Sequence, residues 1–242
     1  MVQNARDNVR VLLLDIEGTI TPVNFVFEVL FPFARDNAEV FLKERGGEPE
    51  VQGDLNLLRQ EYESDRAKGD TILEWTGTEA IAAVPYIYYL IATDRKSTAL
   101  KSLQGKIWEQ GYRNGTLRAQ IFPDVKPAFE RWLAAGKKLY IFSSGSVQAQ
   151  KLLFRYSEIG NLTPFLSGYF DTRTGSKMES QSYKKIAKTI ELAPQKILFI
   201  SDMVAELQAA SASGMKSLFS SRPGNYSTDP QEFTSIQTFD GI

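Results

Sequence analysis

An α/β fold, a doubly wound parallel sheet interrupted by an inserted helical domain, is predicted by three features of this sequence. Short apolar runs alternate with helical periodicities: Val11-Leu12-Leu13-Leu14 near the start, then Leu139-Tyr140-Ile141-Phe142 and Ile197-Leu198-Phe199-Ile200. Between the first run and the rest, Phe25 to Arg113 carries helical spacing and no convincing strand. Each run also ends in oxygen-bearing residues, Asp15, Ser143-Ser144 and Ser201-Asp202. In an open parallel sheet ligands bind beyond the carboxyl ends of the strands, so these positions point to a site.

The elements follow in order. Val11 to Leu14 reads as a buried strand. Phe25, Val29 and Leu30, then Ala38, Phe41 and Leu42, recur at helical spacing, and Gly46-Gly47-Glu48-Pro49 interrupts them. Leu55, Leu58 and Tyr62 mark a second amphipathic stretch closing near Gly69-Asp70; helical patterns then cover Thr71 to Leu90 and Lys96 to Tyr112. Asp124 to Ala135 is predicted helical with Gly136 as its stop. A strand is expected over Lys138–Phe142, a helix over Ser146–Tyr156, a short strand over Gly168–Phe170 and a helix over Ser182–Glu191. Strand Lys196–Ile200, helix Val204–Ser213 and strand Lys216–Phe219 complete the series, before a tail from Arg222 rich in turn formers. The domains expected are a core over 1–22 and 121–242, with a helical cap insert over 23–120.

Composition excludes much chemistry. The 242 residues carry 28 basic and 29 acidic side chains, net charge −1, so no basic field exists to hold nucleic acid or an anionic membrane. There is no cysteine and no histidine, which removes thiolate sites, Ser-His-Asp catalysis and histidine metal ligation. Acid–base work then falls to Asp, Glu, Lys or Tyr, and a bound metal should be a hard cation on oxygen, magnesium before zinc. Met1 to Arg10 is polar without a signal-peptide pattern, and the longest nearly apolar run, Ile81 to Ala92, is too short to span a bilayer. The cytoplasm is the expected location, and no association stripe stands out, so a monomer is expected.

Asp15-Ile16-Glu17-Gly18-Thr19 suits phosphate chemistry. One carboxylate can attack phosphorus and the other can protonate the leaving oxygen. Gly18 lets the backbone approach a ligand, and Thr19 can donate to a phosphate oxygen. Taken alone, the same stretch is equally a strand followed by an acidic turn. Ser143-Ser144-Gly145 before a helix can form an anion site or simply cap that helix. Lys177, in Thr174-Gly175-Ser176-Lys177, could offset charge on a carboxylate and a phosphoryl group, or be a surface lysine. Asp202 can ligate magnesium, with Glu206 supporting through water or through Lys177; equally, Asp202 can cap the helix that follows.

The order of these parts resembles the four motifs of the haloacid dehalogenase superfamily, and so implies a Rossmann-like core. The resemblance implies Asp15 as nucleophile, Glu17 as general acid/base, Ser143 as a phosphate ligand, Lys177 as the residue steadying the phosphoaspartate, and Asp202 as a magnesium ligand. Glu17 stands where most phosphatases of the superfamily have Asp. Asp-Ile-Glu-Gly-Thr resembles one branch, the enolase-phosphatases of methionine salvage, also called acireductone synthases. Leu100 to Trp108 with Gly111-Tyr112, Phe142 to Phe154, Ser176 to Ser180 and Arg222 to Asn225 extend the likeness from about Arg10 to Asn225.

The implied reaction enolises 5-methylthio-2,3-dioxopentyl phosphate and then removes its phosphate, leaving the acireductone. Magnesium on Asp15, the Glu17 carbonyl and Asp202 is implied, with Thr19, Ser143, Ser144, Gly145 and Lys177 holding substrate. The alternative is a magnesium-dependent phosphatase of the same superfamily acting on another small phosphate ester. Glu17, Lys96 and Lys101 are candidate bases for the enolisation. Phe25, Trp75, Tyr86 and Trp108 are candidate contacts for the methylthio tail, although buried aromatics more often form a core. Ser176 and Lys216 replace histidines common in the family, which places those two positions at the periphery of the chemistry.

Overall fold

The computed structural model describes residues 8–242 except Asp94 and Lys96, so Lys96 lies outside the described residues. The chain divides into two units: the described residues up to Val26 with Arg118–Ile242, and Phe27–Leu117. These boundaries assign Phe25 to the first unit rather than to the insert.

The first unit is built on a six-stranded parallel sheet. Its strands are β1 (Val11–Leu14), β2 (Lys138–Phe142), β3 (Gly168–Phe170), β4 (Ile197–Ser201), β5 (Lys216–Ser220) and β6 (Ser235–Ile236), ordered β3-β2-β1-β4-β5-β6. This is the doubly wound arrangement the alternation predicts. β1 and β4 are buried throughout, which is why they read as unbroken apolar runs rather than alternating ones. Leu12, Leu13 and Leu14 are fully buried, each worth about 1.5–3 kcal/mol of transfer free energy. Leu14 registers with Ile141 on one side and Ile200 on the other. The chain after β1 therefore emerges between the ends of β2 and β4, where the winding reverses.

The helices of this unit are Val125–Ala134, Val147–Arg155, Ser180–Thr189 and Val204–Ala212, within a residue or two of the expected ranges. β6 has no counterpart in the sequence reading. It is two residues long and exists only by pairing with the end of β5.

The second unit is helical. From Phe27 it takes up a π-helix that begins at Phe25 and ends at Leu30, followed by helices Phe31–Arg45, Pro49–Ala67, Val84–Ala92 and Thr98–Asn114. One expectation fails here: residues 71–76 are not helical, and helix begins only at Ala80 as a 3-10 turn. Tertiary contacts take the backbone groups a helix would need. The Trp75 N–H donates to the Tyr62 hydroxyl at 2.9 Å, Arg59 donates to the Trp75 carbonyl at 3.1 Å, and Gly77 has φ +91°. Trp75 and Tyr86 are buried against Tyr62 as unit core. The Trp108 indole donates to the Leu30 carbonyl at 2.8 Å.

Candidate active site

Asp15 leaves β1 with its N–H donating to the Ile200 carbonyl at 3.0 Å, which ties it to the neighbouring strand end. Its Oδ1 accepts the Ile16 N–H at 2.8 Å and lies 2.6 Å from the Lys177 ammonium. Lys177 lies equally close, 2.6 Å, to Glu206 Oε2, and its side chain is only 10% exposed. Ser201, the last residue of β4, has one hydroxyl hydrogen for two carboxylates. The shorter approach is to Glu206 Oε2 at 2.8 Å, the longer to Asp15 Oδ2 at 3.2 Å. One buried cation is thus enclosed by two carboxylates that share a hydroxyl.

Asp202 follows at once. As a cap for the helix Val204–Ala212 it is excluded, because no side chain caps that helix; Ser201 Oγ accepts the Met203 N–H instead, at 3.1 Å. The Asp202 carboxyl lies beside Gly18, whose φ is +62° and whose place admits no side chain: a Cβ there would collide with Asp202 Oδ2. This is the close approach that requires the motif glycine.

The electrostatics reflect crowding of like charge. Burial, then the Asp15 and Glu206 charges, push Asp202 up to about 7. Burial and Asp15 likewise push Glu206 up to about 7 against the opposing pull of Lys177. Burial alone would lower Lys177, but Asp15 and Glu206 outweigh it and hold the ammonium above its ordinary range. These acids meet where a cation would relieve their repulsion. The side chains gathered there are carboxylates, hard oxygen donors that fit magnesium. Among the described residues no three His, Cys, Asp or Glu side chains form a metal cage, so waters would complete the shell.

The Ser143–Gly145 segment closes the other side of β1. Ser143 is buried and its Oγ accepts the Gly145 N–H at 3.2 Å; Ser144 is exposed. Capping of the next helix falls to Ser146, which accepts the Ala149 N–H at 3.2 Å and so leaves Ser143 and Ser144 out of that role. Glu17 is half-buried on the turn after Asp15. Thr19 is fully buried, and its hydroxyl oxygen has no hydrogen-bond partner among the described residues. Its carbonyl accepts from Arg222 Nε at 3.0 Å, and its N–H donates to the Ile16 carbonyl at 3.2 Å. Lys101 is exposed on the helix Thr98–Asn114.

Several positioning residues escaped the sequence reading. Asp171, one residue beyond β3, accepts the Val147 N–H at 3.3 Å, and Gln150 donates to the Gly145 carbonyl at 2.8 Å and the Phe170 carbonyl at 2.9 Å. Together they fix the serine loop. Ser220 and Asn225 donate to the Gly18 carbonyl at 3.0 and 2.9 Å. Asp171 and Ser220 had a usable signal in their place at a strand's carboxyl end, and Gln150 and Asn225 lie in segments that carry the family likeness.

Residues 9–214 match the model of the haloacid dehalogenase-like hydrolases. The chain is 58% identical over 235 residues to the enolase-phosphatase E1 of Synechococcus elongatus, covering 97% of this chain and 98% of that one. This chain belongs to the enolase-phosphatase family of haloacid dehalogenase-like hydrolases. The enolase-phosphatase E1 of Drosophila melanogaster is 44% identical over 216 residues, 89% of this chain and 84% of that one. Among solved structures, the UTR4 protein of Saccharomyces cerevisiae superposes with TM-score 0.79 at 32% identity, over 97% of this chain and 100% of that one. Membership in this family makes the chain a phosphatase-type hydrolase, and the Asp15-Ile16-Glu17-Gly18-Thr19 turn lies inside the matched range.

Proposed function

We propose that this chain is a bifunctional enolase-phosphatase of methionine salvage. It converts 5-methylthio-2,3-dioxopentyl phosphate to the acireductone and phosphate, as a magnesium-dependent monomer in the cytoplasm. The observation that carries the phosphatase half is the buried Asp15–Lys177–Glu206 cluster at the carboxyl end of β1. The family relationship carries the enolase half.

Asp15 is the nucleophile in this reading. Its Oδ1 is engaged by Lys177 and the Ile16 N–H, which leaves Oδ2, held only by the long contact to Ser201, as the attacking oxygen. The bond from Oδ2 to phosphorus forms as the ester P–O bond breaks, and Glu17 gives its proton to the departing enol oxygen. Water then attacks the phosphoaspartate, its proton returns to Glu17, and phosphate leaves with Asp15 restored. Lys177 offsets negative charge on the aspartyl and phosphoryl oxygens, while Ser143, Ser144 and Gly145 hold the phosphoryl group. Asp15, the Glu17 carbonyl and Asp202 would hold magnesium, which supplies charge neutralisation at the phosphoryl group and polarisation of the diketone. In the enolisation, a base removes a proton from the carbon bearing the phosphate ester, and the electron pair passes to the adjacent carbonyl oxygen.

Incubation with the diketo phosphate and magnesium tests this. Phosphate release and ultraviolet absorbance of the conjugated enediol should rise together. A methylene phosphonate analogue, whose phosphorus–carbon bond resists displacement, should exchange its acidic carbon-bound proton for deuterium without releasing phosphate. Phosphate release without the enediol chromophore, or tight phosphonate binding without exchange, reduces the chain to a plain phosphatase.

A further inference from the structure

The end of β5 and the loop after it reach back to the turn that carries Asp15 with three side chains. Ser220 Oγ and Asn225 Nδ2 both donate to the Gly18 carbonyl, at 3.0 and 2.9 Å, and Arg222 Nε donates to the Thr19 carbonyl at 3.0 Å. Arg222 is itself anchored, with a second nitrogen 2.8 Å from Asp124 and its guanidinium over the rings of Phe122 and Phe239. Of the three side chains, Asn225 alone also reaches Asp202: its Nδ2 lies 3.5 Å from Asp202 Oδ2.

We propose that Asn225 is a positioning residue for the cation site, joining the turn that carries Asp15 to the carboxylate of Asp202. The inference rests on the reading of Asp202 as a magnesium ligand.

Three arguments support it. The amide orientation is determined, because Nδ2 is surrounded by three acceptors, the Gly18 carbonyl, the Ser220 carbonyl and Asp202 Oδ2. Reversing the amide would turn its oxygen onto all of them. The other half of the amide gains nothing locally: Oδ1 is buried with no hydrogen-bond partner. An unsatisfied buried acceptor costs about 1–3 kcal/mol, so a residue needed only for packing would be better apolar. Finally there is no slack, since a Cβ on Gly18 would meet both Asp202 and, at 2.9 Å, Asn225 Nδ2. Gly18, Asp202 and Asn225 are packed so closely that removing the amide frees Asp202 Oδ2 to swing. A ligand's supporting hydrogen bond is typically worth about 10- to 100-fold in metal affinity.

Ser220 supplies the control. It bonds the same Gly18 carbonyl, and no bond of its side chain to Asp202 is present. If the late loop served only to peg the turn, Asn225→Ala and Ser220→Ala would act alike. Magnesium binding to the metal-free full chain is measured by titration calorimetry, with melting temperature in chelator as the check on folding. Asn225→Ala should raise the magnesium dissociation constant about 10- to 100-fold, and Ser220→Ala less than about threefold. Asn225→Leu, which keeps the bulk without the donor, should follow the alanine variant and replaces it should that variant fail to fold. Equal affinities in wild type and both Asn225 variants, or equal losses in Asn225→Ala and Ser220→Ala, overturn the proposal. Absence of magnesium binding by the wild type overturns the cation reading beneath it.

Discussion

Asp65 in the helical unit and Asp15 in the sheet unit are both nearly enclosed, and each lies 2.6 Å from a cationic nitrogen. Their surroundings differ. Asp65 receives the Tyr86 hydroxyl at 2.9 Å, Arg95 at 2.6 Å and the Lys68 ammonium at 3.6 Å, so donors and positive charge outnumber the one acid. Burial would raise its pKa, but the bonds from Tyr86 and Arg95 outweigh this and hold the carboxyl below its ordinary range. Around Lys177 the ratio is reversed. One ammonium serves Asp15 and Glu206, and Asp202 and Glu206 are both pushed up to about 7 by burial and by neighbouring acids. A balanced acid is a fastening. An excess of acids in a low-dielectric pocket is destabilising until something positive or electrophilic arrives, and such imbalance clusters at functional sites.

The largest effect expected from disturbing this imbalance is on chemistry, not stability. Asp15→Asn should lower phosphate release by about four orders of magnitude or more, because an amide forms no phosphoaspartate. Stability should change little, since Glu206 still pairs with Lys177 and one of the mutually repelling acids has become neutral. Steady-state phosphate release and a melting curve check both halves, with mass spectrometry excluding deamidation back to Asp. Substantial residual turnover would remove Asp15 as nucleophile.

A smaller effect should appear in the pH dependence of stability without metal. Glu206 has a folded pKa of about 7 against an ordinary value of 4.5. A carboxyl raised in the folded state contributes stability that is fully present below its unfolded pKa and is lost as pH rises through the folded value. In chelator, the wild type should therefore lose stability between about pH 5 and about pH 8. Glu206→Gln removes this titration and should flatten that loss by on the order of 1–2 kcal/mol, leaving a same-signed but smaller contribution of Asp202, which loses the repulsion of the Glu206 charge. Denaturant titrations at the two pH values measure it; identical losses in wild type and variant would refute the account of Glu206.

The two regions also differ in how legible they were. The sheet unit announced itself because strands buried on both faces must be apolar throughout, and because Asp15, Ser143 and Asp202 stand where such strands stop. Lys177 and Glu206 became interpretable only in the order of the motifs. Ser220 ends β5 and Asn225 closes the matched late segment, but what they hold was not legible, since their partners are carbonyls and a carboxylate about 200 or 20 positions away. At Thr19 a hydroxyl in a phosphate-like motif invites a ligand role; the residue is buried with that hydroxyl unpartnered, while its N–H donates to the Ile16 carbonyl and its carbonyl accepts from Arg222. In the helical unit, Ile72 and Trp75 had helix-compatible spacing. The backbone bonds from Arg59 and to Tyr62, which remove the helix, are long-range and leave no local trace.

The smallest predicted effect belongs to the balanced acid, and it runs in the opposite direction with pH. Asp65→Ala removes the acceptor that joins Tyr86 and Arg95, leaving the Tyr86 hydroxyl buried without its partner. Arg95 is 42% exposed and can return to water, so the loss should stay near the lower end for a buried hydrogen-bonded acid, about 1–3 kcal/mol at neutral pH. Because the Asp65 pKa is depressed in the folded state, this contribution is present above the ordinary value of 3.8 and disappears as pH falls through the lower, folded one. The difference between wild type and Asp65→Ala should therefore narrow in acid, where the charge that draws Arg95 is lost and only the bond from Tyr86 remains. Hydrogen exchange should place the loosening of Asp65→Ala in the helices Pro49–Ala67 and Val84–Ala92, while magnesium affinity at Asp202 stays at its wild-type value. A stability difference that persists unchanged into acid, or a change in magnesium affinity, would show that Asp65 is no mere fastening and that the contrast between the two acids is drawn in the wrong place.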